Sequence, residues 1–228
     1  MARKSKVWYL ENFNFFSELS PEDRDFICQN TVMRTQGKGE TVYFQNDSAN
    51  SVYFLKEGKI SIERFTSTGE NFLLAILEKG EIFGESSITK SSKRKEAAIV
   101  EEEATYCVME QGNFRELLMK CPSLNIKFSQ LLEVRLEKAQ KRLEDVSFKK
   151  NRERIIEYLK ETAVLSAESM NGNLVTINSL PHQKIAQLTS TNRQEVSNVF
   201  SDLRKNRIID YNRKIIKILN FNKLEAYC

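Results

Sequence analysis

The sequence predicts an α+β protein in three consecutive parts: an N-terminal antiparallel β-roll of the jelly-roll type, a long helix, and a C-terminal winged helix-turn-helix. Short apolar runs alternate with turn residues over about residues 30–110. A segment without glycine or proline then separates Pro122 from Gly172, and short helical patterns and a two-strand unit complete the chain. These observations place the domain boundaries at residues 1–120, 121–150 and 151–228.

The first part has the residue pattern of antiparallel strands. Tyr, Phe, Val and Ile recur at close to every second position in segments such as SVYFLKEGKISIERF, and Gly or Asn/Asp interrupts them about every ten residues. Many short strands with regular turns predict a barrel or a jelly roll. Before these strands, Ser20 followed by Pro21 predicts the start of a short helix.

The second part predicts a helix with one apolar stripe. Apolar residues fall at alternating spacings of four and three, and we call this set the seam: Leu132, Leu136, Ala139, Leu143 and Val146. Two helices bury a shared surface through this heptad pattern. Packing of the seam on the chain's own β domain is the alternative. Because the helix joins two domains, we favour dimerisation through the seam.

The net positive charge lies in the third part. Residues 151–228 contain 12 Lys and Arg and 8 Asp and Glu, which by itself equals the net charge of +4 of the whole chain. A basic terminal module indicates a polyanionic partner, and nucleic acid is the first candidate. No apolar run approaches the roughly 20 residues that a membrane helix needs, so we expect a cytoplasmic protein with no membrane partner.

The sequence favours neither a metal site nor catalysis. Cys28, Cys107, Cys121 and Cys228 include no C-x-x-C pair, and His182 is the single histidine. Structural zinc and iron–sulfur clusters need ligands close together. No paired carboxylates and no nucleophile–base arrangement stand out, so we expect no metal site and no enzyme activity.

The third part predicts two short helices, a turn between them, and a hairpin that serves as a wing. HQKIAQLTS and NRQEVSNVFSDLRKNRI have helical patterns, and RIIDYNRKIIKIL has that of two strands. Thr191 or Asn192 would cap the second helix. Its outward face would carry side chains of the kinds that contact guanine and adenine edges in the major groove: Arg193, Gln194, Ser197 and Asn198.

Basic residues follow where a helix end and a wing would meet phosphates: Lys205, Arg207, Arg213 and Lys214. A solvated helical face in a protein-interaction module is the alternative interpretation. The excess positive charge of the same block favours DNA. The predicted DNA-binding residues are Thr191, Asn192, Arg193, Gln194, Ser197, Asn198, Lys205 and Arg213.

The chain resembles the Crp/Fnr family of bacterial transcription regulators over about residues 15–220. The segments that carry the resemblance are KGETVYFQND, VYFLKEGKISI, GEIFGES and IAQLTSTNRQEVSNVFSDLRKNRII. The resemblance implies a β-roll of cyclic-nucleotide-binding type, a long dimerisation helix and a winged helix-turn-helix. It also implies a homodimer on an inverted-repeat operator in double-stranded DNA, with RNA polymerase as a further candidate partner.

In the family members that bind cyclic nucleotides, the segment similar to residues 79–100 is the phosphate-binding cassette. The resemblance implies that Gly84 and Glu85 match its Gly-Glu pair. Counted without gaps, the Arg-Ser pair that grips the phosphate is replaced by Lys95 and Glu96, whereas a shift of one residue would place Arg94 there. Lysine lacks the two-pronged fork of arginine, and glutamate repels a phosphate oxygen.

The positions that read adenine on the long helix correspond to Ala139 and Gln140, and Ala139 cannot donate a hydrogen bond to a base. The candidate effector pocket is thus a degenerate cassette: Gly84, Glu85, Ser86, Arg94, Lys95, Glu96, Ala139 and Gln140. Cyclic AMP is therefore not the expected effector. An iron–sulfur centre would need an N-terminal cysteine cluster, and haem has no support because His182 lies in the DNA-binding block.

The identity of the effector stays open among an unidentified small ligand, a redox signal, no small effector, and a cyclic nucleotide. The function that the sequence predicts is a homodimeric, sequence-specific DNA-binding regulator that does not respond to cyclic AMP. The alternative is a cyclic-nucleotide-binding signalling module that acts through a protein partner.

Overall fold

The computed structural model describes residues 14–16, 19–88, 93–165 and 174–227. The chain forms two compact units, Met1–Val134 and Arg135–Cys228, and the boundary between them falls inside the longest helix. In the described ranges, no helix is both long enough and apolar enough to cross a bilayer.

The first unit contains an antiparallel sheet, which confirms the predicted antiparallel β domain. In the described part of this unit the strand order is β1-β6-β3-β4, and β2 also pairs with β6 and β5 with β3. The strands are β1 (Thr31–Gln36), β2 (Thr41–Tyr43), β3 (Ser51–Phe65), β4 (Asn71–Leu77), β5 (Ile82–Phe83) and β6 (Ala97–Glu110).

The two longest strands bend together, and this bend rolls the sheet. β3 and β6 pair from Ser51 opposite Glu110 to Glu63 opposite Ala97, and their register shifts between Leu55 and Ile60. Such bulges increase bending and twist. Gly58 lies at the bend with φ +84°, and a Cβ there would come within 2.1 Å of a backbone oxygen of β6. The close approach of the two strands therefore requires glycine at this position.

Three helices pack against the sheet in the first unit. They are α1 (Pro21–Gln29), α2 (Gln111–Lys120) and the N-terminal part of α3 (Pro122–Phe148). Ser20 caps α1 by accepting a hydrogen bond from the backbone N–H of Asp23, and Pro21 is the first helical residue, as predicted. Phe54, Phe114 and other apolar side chains form the core between sheet and helices.

The second unit consists of the C-terminal part of α3 and a small α+β domain. In the described residues its sheet has the order β7-β9-β8. β8 and β9 are the predicted hairpin, and β7 is an additional strand that pairs with β9. The elements after α3 are α4 (Asn151–Leu165), β7 (Val175–Asn178), α5 (His182–Leu188), α6 (Arg193–Lys205), β8 (Ile209–Tyr211), β9 (Ile215–Ile218) and α7 (Phe221–Glu225).

Candidate nucleic-acid interface and effector pocket

A tight turn joins α5 to α6 and sets the direction of α6. The backbone N–H of Thr191 donates to the carbonyl of Ala186 at 2.8 Å, and Ser190 has a φ of +53°. The side chain of Asn192 accepts a hydrogen bond of 2.9 Å from the backbone N–H of Glu195. Asn192 is therefore the N-cap of α6, as one of the two predicted candidates.

The buried face of α6 fixes which side chains point outward. Its apolar residues are all buried in the core of the second unit: Val196, Val199, Phe200 and Leu203. Arg193, Gln194 and Asn198 are exposed on the opposite side. The Nε2 of Gln194 donates to the Oδ1 of Asn198 at 2.9 Å. The outward face thus presents one arginine beside a coupled pair of amides.

Ser197 differs from the other residues expected on this face, because it is half-buried. Its hydroxyl donates to the carbonyl of Arg193 at 3.0 Å and lies 3.0 Å from the Nδ1 of His182. The His182 ring packs between Phe200 and Tyr211, with centroid distances of 4.9 and 5.8 Å. Burial lowers the pKa of His182, and the charge of Arg193 lowers it further.

His182 is a contact of the candidate interface that sequence reasoning did not assign. Its place at the start of α5 is visible in the sequence, but its contact with Ser197, fifteen residues away, depends on the angle between the helices. No local pattern carries that information.

Exposed basic residues continue the candidate interface beyond α6. Lys205 is the last residue of α6, and Arg213 lies in the turn between β8 and β9. Arg207 and Lys214 are also exposed. The Arg204 guanidinium lies 3.9 Å from the Tyr211 ring centroid and forms an ion pair of 2.8 Å with Asp210, which ties α6 to β8.

The interior of the β-roll is filled by aromatic rings. Tyr53 stacks on Phe83 with ring centroids 4.8 Å apart and meets Tyr43 and Tyr106 at 5.4 and 5.9 Å. The hydroxyl of Tyr106 donates to the side chain of Gln36. Burial raises the pKa of Tyr106 to about 12, so it remains a neutral phenol at physiological pH.

The residue that reaches Gly84 from the cassette is Arg94, not Lys95. Arg94 is 1% exposed, and its guanidinium donates to the carbonyls of Gly84 at 2.8 Å and of Ser51 at 2.6 Å. It also lies 4.3 Å from the Tyr43 ring centroid. Of the two alternatives that the sequence offers, Arg94 therefore contacts Gly84, whereas Lys95 is exposed.

Gly84 has to be glycine for this arrangement to form. Its φ is +72°, and a Cβ would come within 2.8 Å of both the Arg94 Nη1 and the Tyr53 ring. Glu85 and Ser86, both half-buried, open the 3-10 turn that follows. Two carboxylates interact here: burial raises the pKa of Glu96, and the charge of Glu85 raises it further.

The other predicted pocket residues lie on the long helix. Ala139 and Gln140 are exposed on α3, within the second unit. The seam residues on the same helix are exposed as well, with 58% of Leu136 and 70% of Leu143 accessible to solvent. Among the described residues, no group of three or more His, Cys, Asp or Glu is arranged to hold a metal ion.

A rolled antiparallel sheet, a long helix and a helix-turn-helix with a wing form the architecture of a DNA-binding transcription regulator. Residues 33–121 match the cyclic nucleotide-binding domain, and residues 153–227 match the Crp-like helix-turn-helix domain. The chain belongs to the Crp/Fnr family of bacterial transcription regulators. The family consists of DNA-binding regulators rather than enzymes.

Several relatives are similar over most of their length. The cyclic AMP receptor protein of Thermus thermophilus is 25% identical over 194 residues, 85% of this chain and 87% of that protein. The global nitrogen regulator of a Nostoc species is 25% identical over 195 residues, 82% of this chain and 85% of that protein. A mutant of CooA from Carboxydothermus hydrogenoformans has the same fold, with a TM-score of 0.76 at 20% identity, covering 99% of this chain and 96% of that one.

Proposed function

We propose that the protein is a homodimer that binds an inverted-repeat operator through two copies of α6 and does not respond to cyclic AMP. The observation that carries this proposal is the outward face of α6. Arg193, Gln194 and Asn198 are exposed there, while the opposite face is buried in the core. The face is therefore free to enter a major groove.

Each polar group of this interface has a distinct role. The fork of Arg193 suits the O6 and N7 atoms of guanine, and the amides of Gln194 and Asn198 suit adenine. Lys205 and Arg213 would contact phosphates and thereby fix the register on the duplex. Thr191 and Asn192, at the turn before α6, would approach the DNA backbone. Ser197 would hold the position of Arg193 through its hydrogen bond to the Arg193 carbonyl.

The exposed seam supports the dimer. The seam residues Leu132, Leu136, Leu143 and Val146 are all exposed on one helix. These side chains are 40–70% exposed in the single chain, and removal of their apolar area from water contributes about 25 cal/mol per Å², which supports pairing of two seams. A two-fold axis along the helices would place two copies of α6 in successive major grooves, about 34 Å apart.

The chemistry around Arg94 supports the absence of a response to cyclic AMP. Both terminal nitrogens of the Arg94 guanidinium already donate to backbone carbonyls, and its face is covered by Tyr43. The next residue is Lys95 instead of one with a hydroxyl group. A cyclic phosphate would also approach the carboxylates of Glu85 and Glu96, and the pKa of Glu96 is already raised by burial and by the charge of Glu85.

Selection of bound duplexes from random DNA by the purified full chain tests the proposal. We expect an inverted repeat with half-site centres about one helical turn apart, and sedimentation velocity should give a dimer with and without DNA. A monomer, or a bound pool with no enriched sequence, would refute it. Calorimetry with cyclic AMP and cyclic GMP should give no heat of binding, whereas saturable binding would favour the signalling-module alternative.

As a regulator bound near promoters, the protein would act in the cytoplasm and meet RNA polymerase, which we propose as its further partner. Co-sedimentation of the polymerase holoenzyme with the protein on an operator-containing duplex tests this contact. The same duplex with a scrambled operator serves as the control.

A further inference from the structure

The guanidinium of Arg154 connects the joint between α3 and α4 to the turn of the helix-turn-helix. Its Nε donates to the carbonyl of Thr189 and one Nη2 hydrogen to that of Ser190, both at 2.8 Å. On the other side, Nη1 donates to the carbonyl of Lys149 at 2.7 Å and Nη2 to the Oδ1 of Asn151 at 2.8 Å. Four of the five N–H groups of a guanidinium are thus engaged.

The acceptors belong to two segments that are far apart in sequence. Lys149 and Asn151 form the joint at which α3 ends and α4 begins, and Thr189 and Ser190 form the turn that leads into α6. Ser190 has a φ of +53°, a conformation that is unfavourable for a residue with a Cβ. Such a backbone conformation persists where surrounding contacts stabilise it. Arg154 supplies one such contact through its hydrogen bond to the carbonyl of Ser190.

Two further contacts join the C-terminal part of α3 to the helices α4 and α5. The Nη2 of Arg142 donates to the carbonyl of Gln187 at 2.5 Å, near the end of α5, and Lys141 forms an ion pair with Glu161 on α4. The C-terminal part of α3 therefore contacts both α4 and α5. Arg154 differs from these contacts because one planar group binds the joint and the turn at the same time.

We propose that Arg154 is a positioning residue for DNA recognition, which fixes α6 relative to the C-terminal part of α3 and so sets the half-site spacing that the dimer accepts. This inference rests on the proposed function, in which two chains meet through the seam on α3. When α6 is held firmly to α3, the distance between the two copies of α6 has one value. When the link loosens, neighbouring spacings become acceptable without any change in the base contacts.

The test uses duplexes with two fixed half-sites, taken from the sequences that the wild type selects, and spacers that vary by up to three base pairs. Arg154→Lys keeps the charge but supplies three donors from one atom, which cannot reach acceptors on both sides. We expect the preference of the wild type for its best spacer over the neighbouring ones to fall at least tenfold in Arg154→Lys. Affinity for a duplex with a single half-site should stay within about threefold.

Arg152→Lys is the matched control. Arg152 lies on the same helix and forms an ion pair with Asp202 of α6 at 2.9 Å, but it makes none of the contacts to the joint or the turn. Its spacer preference should equal that of the wild type. Equal broadening in both variants would refute the specific role of Arg154.

The outcomes separate this inference from the proposed function. A wild type that enriches no duplex refutes the proposed function. A wild type and an Arg154→Lys variant with equally sharp spacer preferences refute the positioning role alone, and so does an equal loss of affinity for single and paired half-sites. If Arg154→Lys has no cooperative unfolding transition, Asn151→Ala is tested in its place, because it removes only the exposed Oδ1 acceptor of one Arg154 hydrogen bond. Its spacer preference should be intermediate, and an unchanged preference would refute the inference.

Discussion

Replacement of Arg94 by alanine should destabilise the β-roll, because the buried guanidinium is a structural group in this protein. In the variant, the carbonyls of Gly84 and Ser51 lose their donor, at about 1–3 kcal/mol each. The contact with the Tyr43 ring is lost too, at about 1–2 kcal/mol. Truncation also removes a buried cation, and the desolvation cost of that cation then no longer opposes folding. We therefore expect the free energy of unfolding to fall by about 2–5 kcal/mol in total.

Native-state hydrogen exchange, followed by mass spectrometry of peptides from β3 and β5, measures this loss locally. A decrease of 2–5 kcal/mol corresponds to exchange that is faster by about 30-fold to 5,000-fold. Arg94→Lys should recover less than half of the loss, since an ammonium cannot span both carbonyls or stack as a plane. Lys95→Ala, at the exposed neighbouring position, is the control and should change exchange by less than about threefold.

Equal exchange rates in Arg94→Ala and Lys95→Ala would refute this reasoning. Such a result would mean that the guanidinium is not part of the folded framework. It would then be available to an anionic ligand, and the proposed lack of response to cyclic AMP would lose its main support.

Three further predictions concern the seam, the cassette and the helix cap. Leu143→Lys should convert the dimer to a monomer in sedimentation velocity, whereas Glu137→Lys should not, and an unchanged dimer would argue against the seam. Glu96→Gln should raise the melting temperature at pH 7.5, because the pKa of Glu96 is raised in the folded state by burial and by Glu85. The increase in melting temperature should shrink as the pH falls towards 4.5, where Glu96 becomes protonated. An increase that grows at low pH would contradict the raised pKa of Glu96. Asn192→Ala should cost about 1 kcal/mol in urea unfolding, and no change would mean that the cap is dispensable.

The parts of the protein that follow a local period could be predicted from sequence. The apolar residues of α6 recur at helical spacing, so its outward residues Arg193, Gln194 and Asn198 could be identified before the structure. The alternating pattern of residues 30–110 predicted the antiparallel sheet in the same way. β7 (Val175–Asn178) escaped prediction because its pairing partner β9 lies far along the chain, with Val175 opposite Ile218, whereas the equally short strands β8 and β9 follow each other as a hairpin with a turn between them.

Contacts between distant segments could not be predicted. The Arg94 guanidinium donates to the carbonyl of Ser51, 43 residues earlier, and to that of Gly84, ten residues earlier. The sequence left Lys95 and Arg94 as alternatives at this position, because one residue of register in a loop decides which side chain enters the roll. Arg154 reaches the turn at Ser190, 36 residues later, and its partners are backbone carbonyls, which no side-chain pattern reveals.

The most direct test of DNA recognition by α6 compares Arg193→Ala with the wild type on the selected operator and on a scrambled duplex of equal length, at one salt concentration. We predict that the ratio of the two affinities falls by about 5-fold to 150-fold, or 1–3 kcal/mol, with specificity lost at one base pair of each half-site. Lys205→Ala, the control, should weaken both duplexes equally. An unchanged ratio in Arg193→Ala would contradict the central claim.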